Sequence, residues 1–194
     1  MARNTSNNTF LTRKIGATGS TTNWTMSLWV KFDAQDTGAH QTIFSTYPAG
    51  GVEFRKLSNG QLNFYQYQGS AYDWLIQESA DDFVITDFTQ WYHIVCYYDR
   101  NGQARLYVNG DLIGSTTVST NLYRFNQIGQ TMEFGRIRQG NAQVLSGSLA
   151  EVFFVDGLSL TPATFGETSN NGWVPKQSAV VKSAITGSLS LIHI

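Results

Sequence analysis

The chain has 194 residues, of which 41% are hydrophobic, 13% aromatic and only 14% charged, and its formal net charge is −1. This length suits one domain with a single core, and a charge near zero excludes the positive field by which proteins attract DNA or RNA. The nearest basic group, Arg124 with Arg136 and Arg138, is interpreted as a solvated strand face. Cys96 is the single cysteine, which excludes an internal disulfide and a cysteine-based zinc site.

Seven segments alternate between apolar and polar residues and predict β-strands. In chain order they are 24–32, 51–57, 61–67, 90–98, 104–108, 131–137 and 147–155. In the first segment Trp24, Met26 and Leu28 share one face. The segment 90–98 is apolar on both faces, which predicts a central strand that is covered on both sides.

Turn residues separate these strands. Asn59-Gly60, Asn101-Gly102 and Asn109-Gly110 each lie between apolar runs, and Asn-Gly is the preferred pair for a type I′ hairpin. A short helical turn is predicted at 161–165, with Thr161 as its cap and Pro162 at its first position. No segment has a convincing helical stripe of apolar residues, so the sequence predicts an all-β sandwich or barrel.

Three segments resemble the laminin-G/pentraxin-like domains of the concanavalin A-like class. They are the strand 24–31, the pair of hairpins from Trp91 to Gly110, and the strand 147–154. The resemblance extends from about Phe10 to Phe165 and implies a two-sheet antiparallel jelly roll. We therefore assign residues 1–166 to this domain and residues 167–194 to a C-terminal tail.

A second resemblance concerns the end of the domain. Residues 149–157, 160–167 and 172–176 are similar to the endings of such domains in bacteriophage virion proteins. This implies a tail-fibre or decoration protein on the virion surface, which forms homo-oligomers and contacts other virion proteins. We expect synthesis in the host cytoplasm without a signal peptide and without membrane insertion, because no long apolar segment occurs.

The last six residues, 189–194, can be reverse-translated into the end sequence of a transposon used in library preparation. This observation predicts that the native chain continues beyond Ile194. An ordinary short C-terminal strand is the alternative.

No catalytic motif is found, although the resembling fold also includes glucanases. Those enzymes carry alternating carboxylates on one strand, in the form Glu-x-Asp-x-x-Glu, so that two acids face one sugar ring. Glu151 and Asp156 are five residues apart, which places them on opposite strand faces. The histidines lack metal-ligand spacing, and His93 is interpreted as a buried structural residue. We predict that the protein is not an enzyme.

Calcium is a possible cofactor, because many relatives of this fold bind it through loop oxygens. Asp33 with Asp36, or Asp99 with Asn101, offers the hard oxygen ligands that calcium prefers. Asp and Asn also stabilise tight turns by bonding their own backbone, which explains both pairs equally well. No other cofactor is predicted.

A glycan site is predicted where aromatic rings and polar groups occur together, since sugars need flat apolar surfaces beside hydrogen-bonding groups. One set is expected on the polar face of a strand and the other near a loop. The candidate residues are Asn63, Tyr65 and Tyr67, followed by Tyr72, Asp73 and Trp74. Alternatively, the tyrosines pack under a neighbouring loop or form a subunit interface.

Three functions follow. The first is a non-enzymatic glycan-binding or adhesion module, whose partner is a host or environmental glycan. The second is a purely structural virion domain that mediates assembly. The third, a divergent glycoside hydrolase, requires two carboxylates that converge in a cleft.

Overall fold

The structure is a computed structural model. It describes residues 3–4, 10–33, 39–47, 51–68, 71–77, 83–118, 125–137, 143–185 and 190–193. Almost all regular structure in these residues is extended, as the alternating sequence predicts. The strands are β1 (Arg3–Asn4), β2 (Leu11–Lys14), β3 (Asn23–Phe32), β4 (Gln41–Tyr47), β5 (Gly51–Lys56), β6 (Leu62–Gln68), β7 (Ala71–Gln77), β8 (Tyr92–Asp99), β9 (Gln103–Val108), β10 (Asp111–Thr117), β11 (Thr131–Phe134), β12 (Gly147–Asp156), β13 (Gly166–Ser169), β14 (Gly172–Pro175) and β15 (Ser190–His193).

Two antiparallel sheets form a sandwich. Sheet A has the order β1-β12-β3-β8-β9-β10, with β15 also paired to β12, and sheet B has the order β2-β11-β4-β5-β6-β7. The hairpin β13-β14 forms a separate pair. The all-β, two-sheet, concanavalin A-like jelly roll is therefore confirmed.

The main core lies between the inner faces of the two sheets. Trp24 is completely buried there; its ring stacks on Tyr98 at 5.5 Å and is tilted against Phe125 at 4.4 Å, measured between ring centroids. Phe64 of sheet B meets Trp24 edge to face at 5.9 Å. Side chains alternate across each strand, so the apolar residues of both sheets meet in this layer.

The predicted strands are found with small shifts of their ends, and β8 lies between β3 and β9 as predicted for a covered central strand. Seven strands were not predicted, β1, β2, β4, β7, β10, β13 and β14, nor was the helix α1 (Ser178–Ala184). The predicted helical turn is a 3-10 helix, Pro162–Thr164, in which Thr161 makes no side-chain cap bond. The prediction that the Thr161 side chain caps this helix is therefore wrong.

One of the three predicted type I′ turns is confirmed. Asn109 and Gly110 have φ values of 49° and 94°, both in the left-handed region that this turn requires. Gly60 has a positive φ but Asn59 has not, because the connection from β5 to β6 is longer than two residues. At Asn101-Gly102 the turn begins one residue earlier and is held by Asp99, whose side chain accepts the Asn101 amide proton at 3.0 Å.

The outer face of sheet A is covered by the C-terminal part of the chain. Val95 and Tyr107 of the sheet pack with Phe165, and Val181 of α1 joins the same buried cluster. Of the described helices, none is long and apolar enough to cross a membrane.

Candidate functional site

The outer face of sheet B carries a row of polar residues across neighbouring strands. Glu133 of β11 pairs with Ser45 of β4, Ser45 pairs with Glu53 of β5, and Glu53 pairs with Tyr65 of β6. Residues opposite each other on antiparallel strands point to the same side of the sheet. All four are nevertheless buried, between 1% and 4% exposed.

Glu53 is the centre of a hydrogen-bond network on this face. The Tyr65 hydroxyl donates to Oε2 of Glu53 at 2.6 Å, and the Thr42 hydroxyl donates to Oε1 at 3.0 Å. The Arg55 guanidinium lies 3.8 Å from Oε1 and 5.1 Å from the centre of the Tyr65 ring. The network supplies the partners that a buried carboxylate requires.

The ionisation of Tyr65 follows from this environment. Burial raises the pKa of the Tyr65 phenol well above its usual range, and the charge and hydrogen bond of Glu53 raise it further. Tyr65 is therefore a neutral hydrogen-bond donor at ordinary pH. Its hydroxyl is committed to Glu53.

A second carboxylate lies on the same face, two strands away. Nε and Nη2 of Arg136 donate to Glu133 at 3.1 and 3.3 Å. The guanidinium of Arg136 also lies over the ring of Phe10, 3.2 Å from its centroid. Each buried carboxylate of the row is thus held by an arginine, and its negative charge is balanced within the protein.

A tyrosine cluster, Tyr65, Tyr67 and Tyr72, continues this face toward the β7 edge. The register of β6 and β7 shifts between Gln66 and Tyr67, so Tyr67 pairs with Tyr72 and Asp73 is the extra residue of a bulge. The bulge turns Tyr72 to the side of Tyr65, and their rings meet edge to face at 5.1 Å. Tyr72 is 53% exposed, and Tyr67 lies 5.8 Å from Tyr65.

The structure corrects the exposure expected of three candidate residues. Asn63 is 3% exposed, Tyr65 4% and Trp74 3%. Trp74 was expected near a loop, but it lies within β7 and points into the core, where its ring is 4.7 Å from Phe64. The alternation of β7 explains this position. Asp73 is partly buried and accepts a hydrogen bond from Gln66 at 2.9 Å. The role of these residues in glycan binding stays a prediction.

Sequence reasoning missed Glu53, Arg55, Glu133 and Arg136 as members of this face. A signal was present, because charged residues inside apolar strands are unusual in a chain with 14% charged residues. The cross-strand register that unites them is decided by the fold.

The calcium candidates are explained by turn and loop contacts. Asp33 accepts the Ser146 hydroxyl at 3.1 Å, Asp99 bonds the Asn101 amide, and Asp36 lies outside the described residues. Across the described segments no three His, Cys, Asp or Glu side chains converge as a metal site would require. Calcium stays an untested prediction.

His93, interpreted from the sequence as structural, is buried on the covered face of sheet A. The Trp173 indole nitrogen donates to Nδ1 of His93 at 2.8 Å, so the proton of the neutral ring is on Nε2 and is directed at the Ser27 hydroxyl, 2.9 Å away. Trp29 stacks on the ring at 4.9 Å. Burial lowers the pKa of His93 to about 3.

The family is established by the sequence. Residues 4–164 match the family model described as the concanavalin A-like lectin/glucanases superfamily. The chain therefore belongs to this superfamily. Among curated proteins, none matches the sequence.

Solved structures agree on the fold. A heptameric SAP-like pentraxin from Limulus polyphemus is similar with a TM-score of 0.60 and 18% identity, over 94% of this chain and 84% of the pentraxin chain. A putative carbohydrate-binding protein from Bacteroides ovatus gives a TM-score of 0.56 and 18% identity, over 76% of this chain and 42% of that one. Domain 4 of AbnA, a GH43 extracellular arabinanase from Geobacillus stearothermophilus in complex with arabinotriose, gives a TM-score of 0.56 and 21% identity. The similarity covers 73% of this chain and 64% of that one.

Proposed function

We propose that this chain is a non-enzymatic glycan-binding domain that engages sugar through the tyrosine cluster of sheet B. One observation carries the proposal. The Tyr72 ring is 53% exposed, yet it is held in place by the buried Tyr65 ring 5.1 Å away. A fixed aromatic ring offers contact area to a sugar at a low cost in conformational entropy.

Polar groups beside the rings also support glycan binding at the tyrosine cluster. Tyr65 is anchored by Glu53, and the partly buried Arg55 guanidinium lies 5.1 Å from the centre of the Tyr65 ring. A glycan site needs such hydrogen-bonding groups next to an apolar surface. The names of two similar structures, the Bacteroides ovatus protein and the arabinanase domain, point to the same class of ligand.

A binding role is favoured over hydrolysis by the state of the two buried carboxylates on the outer face of sheet B. Glycosidases require one carboxyl group to deliver a proton and another to act as a nucleophile or base. Glu53 is held by Tyr65, Thr42 and Arg55, and Glu133 is held by Arg136. In the described residues both acids therefore serve the architecture of the face.

The wider setting that we propose is the surface of a bacteriophage particle, as a tail-fibre or decoration domain. It rests on the resemblance of residues 149–157, 160–167 and 172–176 to the endings of virion domains. Several copies on one particle, in a homo-oligomer and beside other virion proteins, would raise the avidity of weak single sites for a host or environmental glycan.

The test is a glycan array with the assembled protein, followed by titration of the strongest glycan. Tyr72→Ala should weaken binding by about tenfold or more, because an aromatic anchor contributes over 1 kcal/mol. Leu112→Ala is the matched control, since Leu112 is 54% exposed on the edge strand of the other sheet. Equal affinity of both variants would reject the tyrosine cluster, and no binding to any glycan would reject the function.

The exposed ring of Tyr72 also supports a second function, assembly with another protein, because aromatic anchors are common at protein interfaces. Light scattering distinguishes the two. Dissociation of an oligomer by Tyr72→Ala would favour assembly, whereas an unchanged mass with lost glycan binding would favour the ligand site.

A further inference from the structure

A cavity of about 610 Å³ opens between the two sheets, where the loop that follows β2 passes the end of β12. Its volume lies within the range of small-molecule sites in proteins. The apolar part of its wall is formed by Ile15, Met132 and Phe154, which belong to the main core. The tyrosine cluster is not part of it.

Asp156 supplies an incompletely bonded carboxylate to this cavity. It is 2% exposed, and Oδ1 accepts the backbone amide proton of Ser20 at 2.8 Å. None of the described residues donates a hydrogen bond to Oδ2. Buried carboxylates normally have their hydrogen-bonding capacity filled, so this oxygen is an acceptor in need of a donor.

Asn126 supplies the complementary group. Its side chain is 4% exposed, and its Nδ2 has no hydrogen-bond partner in the described structure. The residue is positioned by its backbone, because its carbonyl oxygen accepts the Gly19 amide proton at 3.0 Å. The amide is therefore held in the wall of the cavity while its donor hydrogens are unused.

Gly19 packs directly against these two groups. A methyl group at Gly19 would overlap both Nδ2 of Asn126 and Oδ2 of Asp156. The donor and the acceptor therefore lie close to one another, at a place that any larger residue at this position would fill.

We infer that this cavity binds a hydroxyl-bearing ring, such as the terminal residue of a glycan. A hydroxyl group both donates and accepts, so one C–OH can donate to Oδ2 of Asp156 and accept from Nδ2 of Asn126. A cation is disfavoured, since an amide N–H2 group lies beside the single carboxylate. The wall of Ile15, Met132 and Phe154 suits the C–H face of a sugar.

The ligand class rests on the proposed function, but the site does not depend on the tyrosine cluster. The test is an NMR titration of ¹⁵N-labelled protein with methyl α-mannopyranoside and methyl β-galactopyranoside, each to about 100 mM, since single sugars bind in the millimolar range. Saturable shifts of the Ser20 backbone amide and the Asn126 side-chain amide are expected with at least one glycoside.

Two glycines, one in the cavity wall and one outside it, give a matched pair of variants. Gly19→Ala places a methyl group against both polar side chains and should weaken binding at least about tenfold. Gly102→Ala adds the same methyl group in the turn between β8 and β9, outside the cavity, where the nearest atom is Asp99 Oδ2 at 3.4 Å, and should keep affinity within about twofold. If Gly19→Ala does not fold, Asp156→Asn replaces it, because Asn can still accept the Ser20 proton while Oδ2 is lost.

Three results would overturn the inference. One is no saturable shift with either glycoside, and another is equal affinity of the Gly19→Ala and Gly102→Ala variants. The third is that calcium chloride alone shifts the two resonances while neither glycoside does. Tyr72→Ala separates the two proposals, since it should weaken array binding at the sheet face by about tenfold or more and leave the cavity resonances responsive.

Discussion

The outer faces of the two sheets bury their side chains by different chemistry, one apolar and the other polar. Sheet A presents Val95 and Tyr107, and these apolar side chains are covered by Phe165 and Val181 from the C-terminal part of the chain. Sheet B presents Glu53, bonded to Tyr65 and Arg55, and Glu133, bonded to Arg136. Apart from the two arginines, these side chains of both faces are all buried.

The difference shows how little burial alone says about function. The covered face of sheet A contains a polar cluster, His93 with Ser27 and Trp173, whose described side-chain hydrogen bonds are all internal. The face of sheet B instead holds its polar groups in charge-balanced pairs beside an exposed ring, Tyr72. A surface of this second kind can meet a ligand without rearrangement.

The largest expected loss of stability follows from disrupting the polar face of sheet B. Glu53→Gln leaves Arg55 without its carboxylate and replaces the charged acceptor of Tyr65, so the free energy of unfolding should fall by about 3 kcal/mol. Urea denaturation at pH 7 measures it. Glu167→Gln, at an exposed position of β13, should change stability by less than about 0.5 kcal/mol. Similar losses in the two variants would contradict a supporting role for the Glu53 network.

A second effect, on the covered face, depends on pH. Because the pKa of His93 is about 3 in the folded protein and near 6.5 when unfolded, the unfolded chain binds more protons between these values. Stability should therefore decrease as pH falls below about 6.5, and His93 should account for about 2 kcal/mol between pH 7 and pH 5. The stability difference between wild type and His93→Gln, measured at both pH values, should change by that amount. A difference independent of pH would show that His93 is not buried as a neutral ring.

A smaller effect concerns the contact between the C-terminal hairpin and the sheet. Trp173→Phe removes the indole N–H bond to Nδ1 of His93 and should cost about 1 kcal/mol. A double-mutant cycle with His93→Gln isolates the pair, and a coupling energy of about 1 kcal/mol is expected. Additive losses would mean that Trp173 stabilises the hairpin only through packing.

The smallest effect is expected for the exposed ring of the polar face. Tyr72→Ala should lower the free energy of unfolding by less than about 0.5 kcal/mol, because the side chain is 53% exposed and its hydroxyl makes no described hydrogen bond. Thermal denaturation measures this change. A loss of several kcal/mol would make Tyr72 a structural residue and would weaken its use as a binding probe.

The sequence by itself determined the class of fold. Alternation in segments such as 24–32 and 90–98 predicts strands because side chains of an extended chain point to opposite sides in turn. The positive φ values of Asn109 and Gly110 were likewise predictable, since only such residues adopt them at low cost. The edge strands β7 and β10 and the helix α1 were missed, because their apolar pattern is weak and their conformation depends on neighbours.

Only the tertiary structure decided which groups meet. Asn63, Tyr65 and Trp74 have the residue types of a glycan site, but register and the bulge at Asp73 bury them and expose Tyr72 instead. Glu53 and Glu133 are 80 residues apart in the chain, and Asn126 and Asp156 are 30 apart. Local pattern sets the direction of a side chain along its own strand, whereas the partner across the sheet is set by long-range pairing that a single sequence does not encode locally.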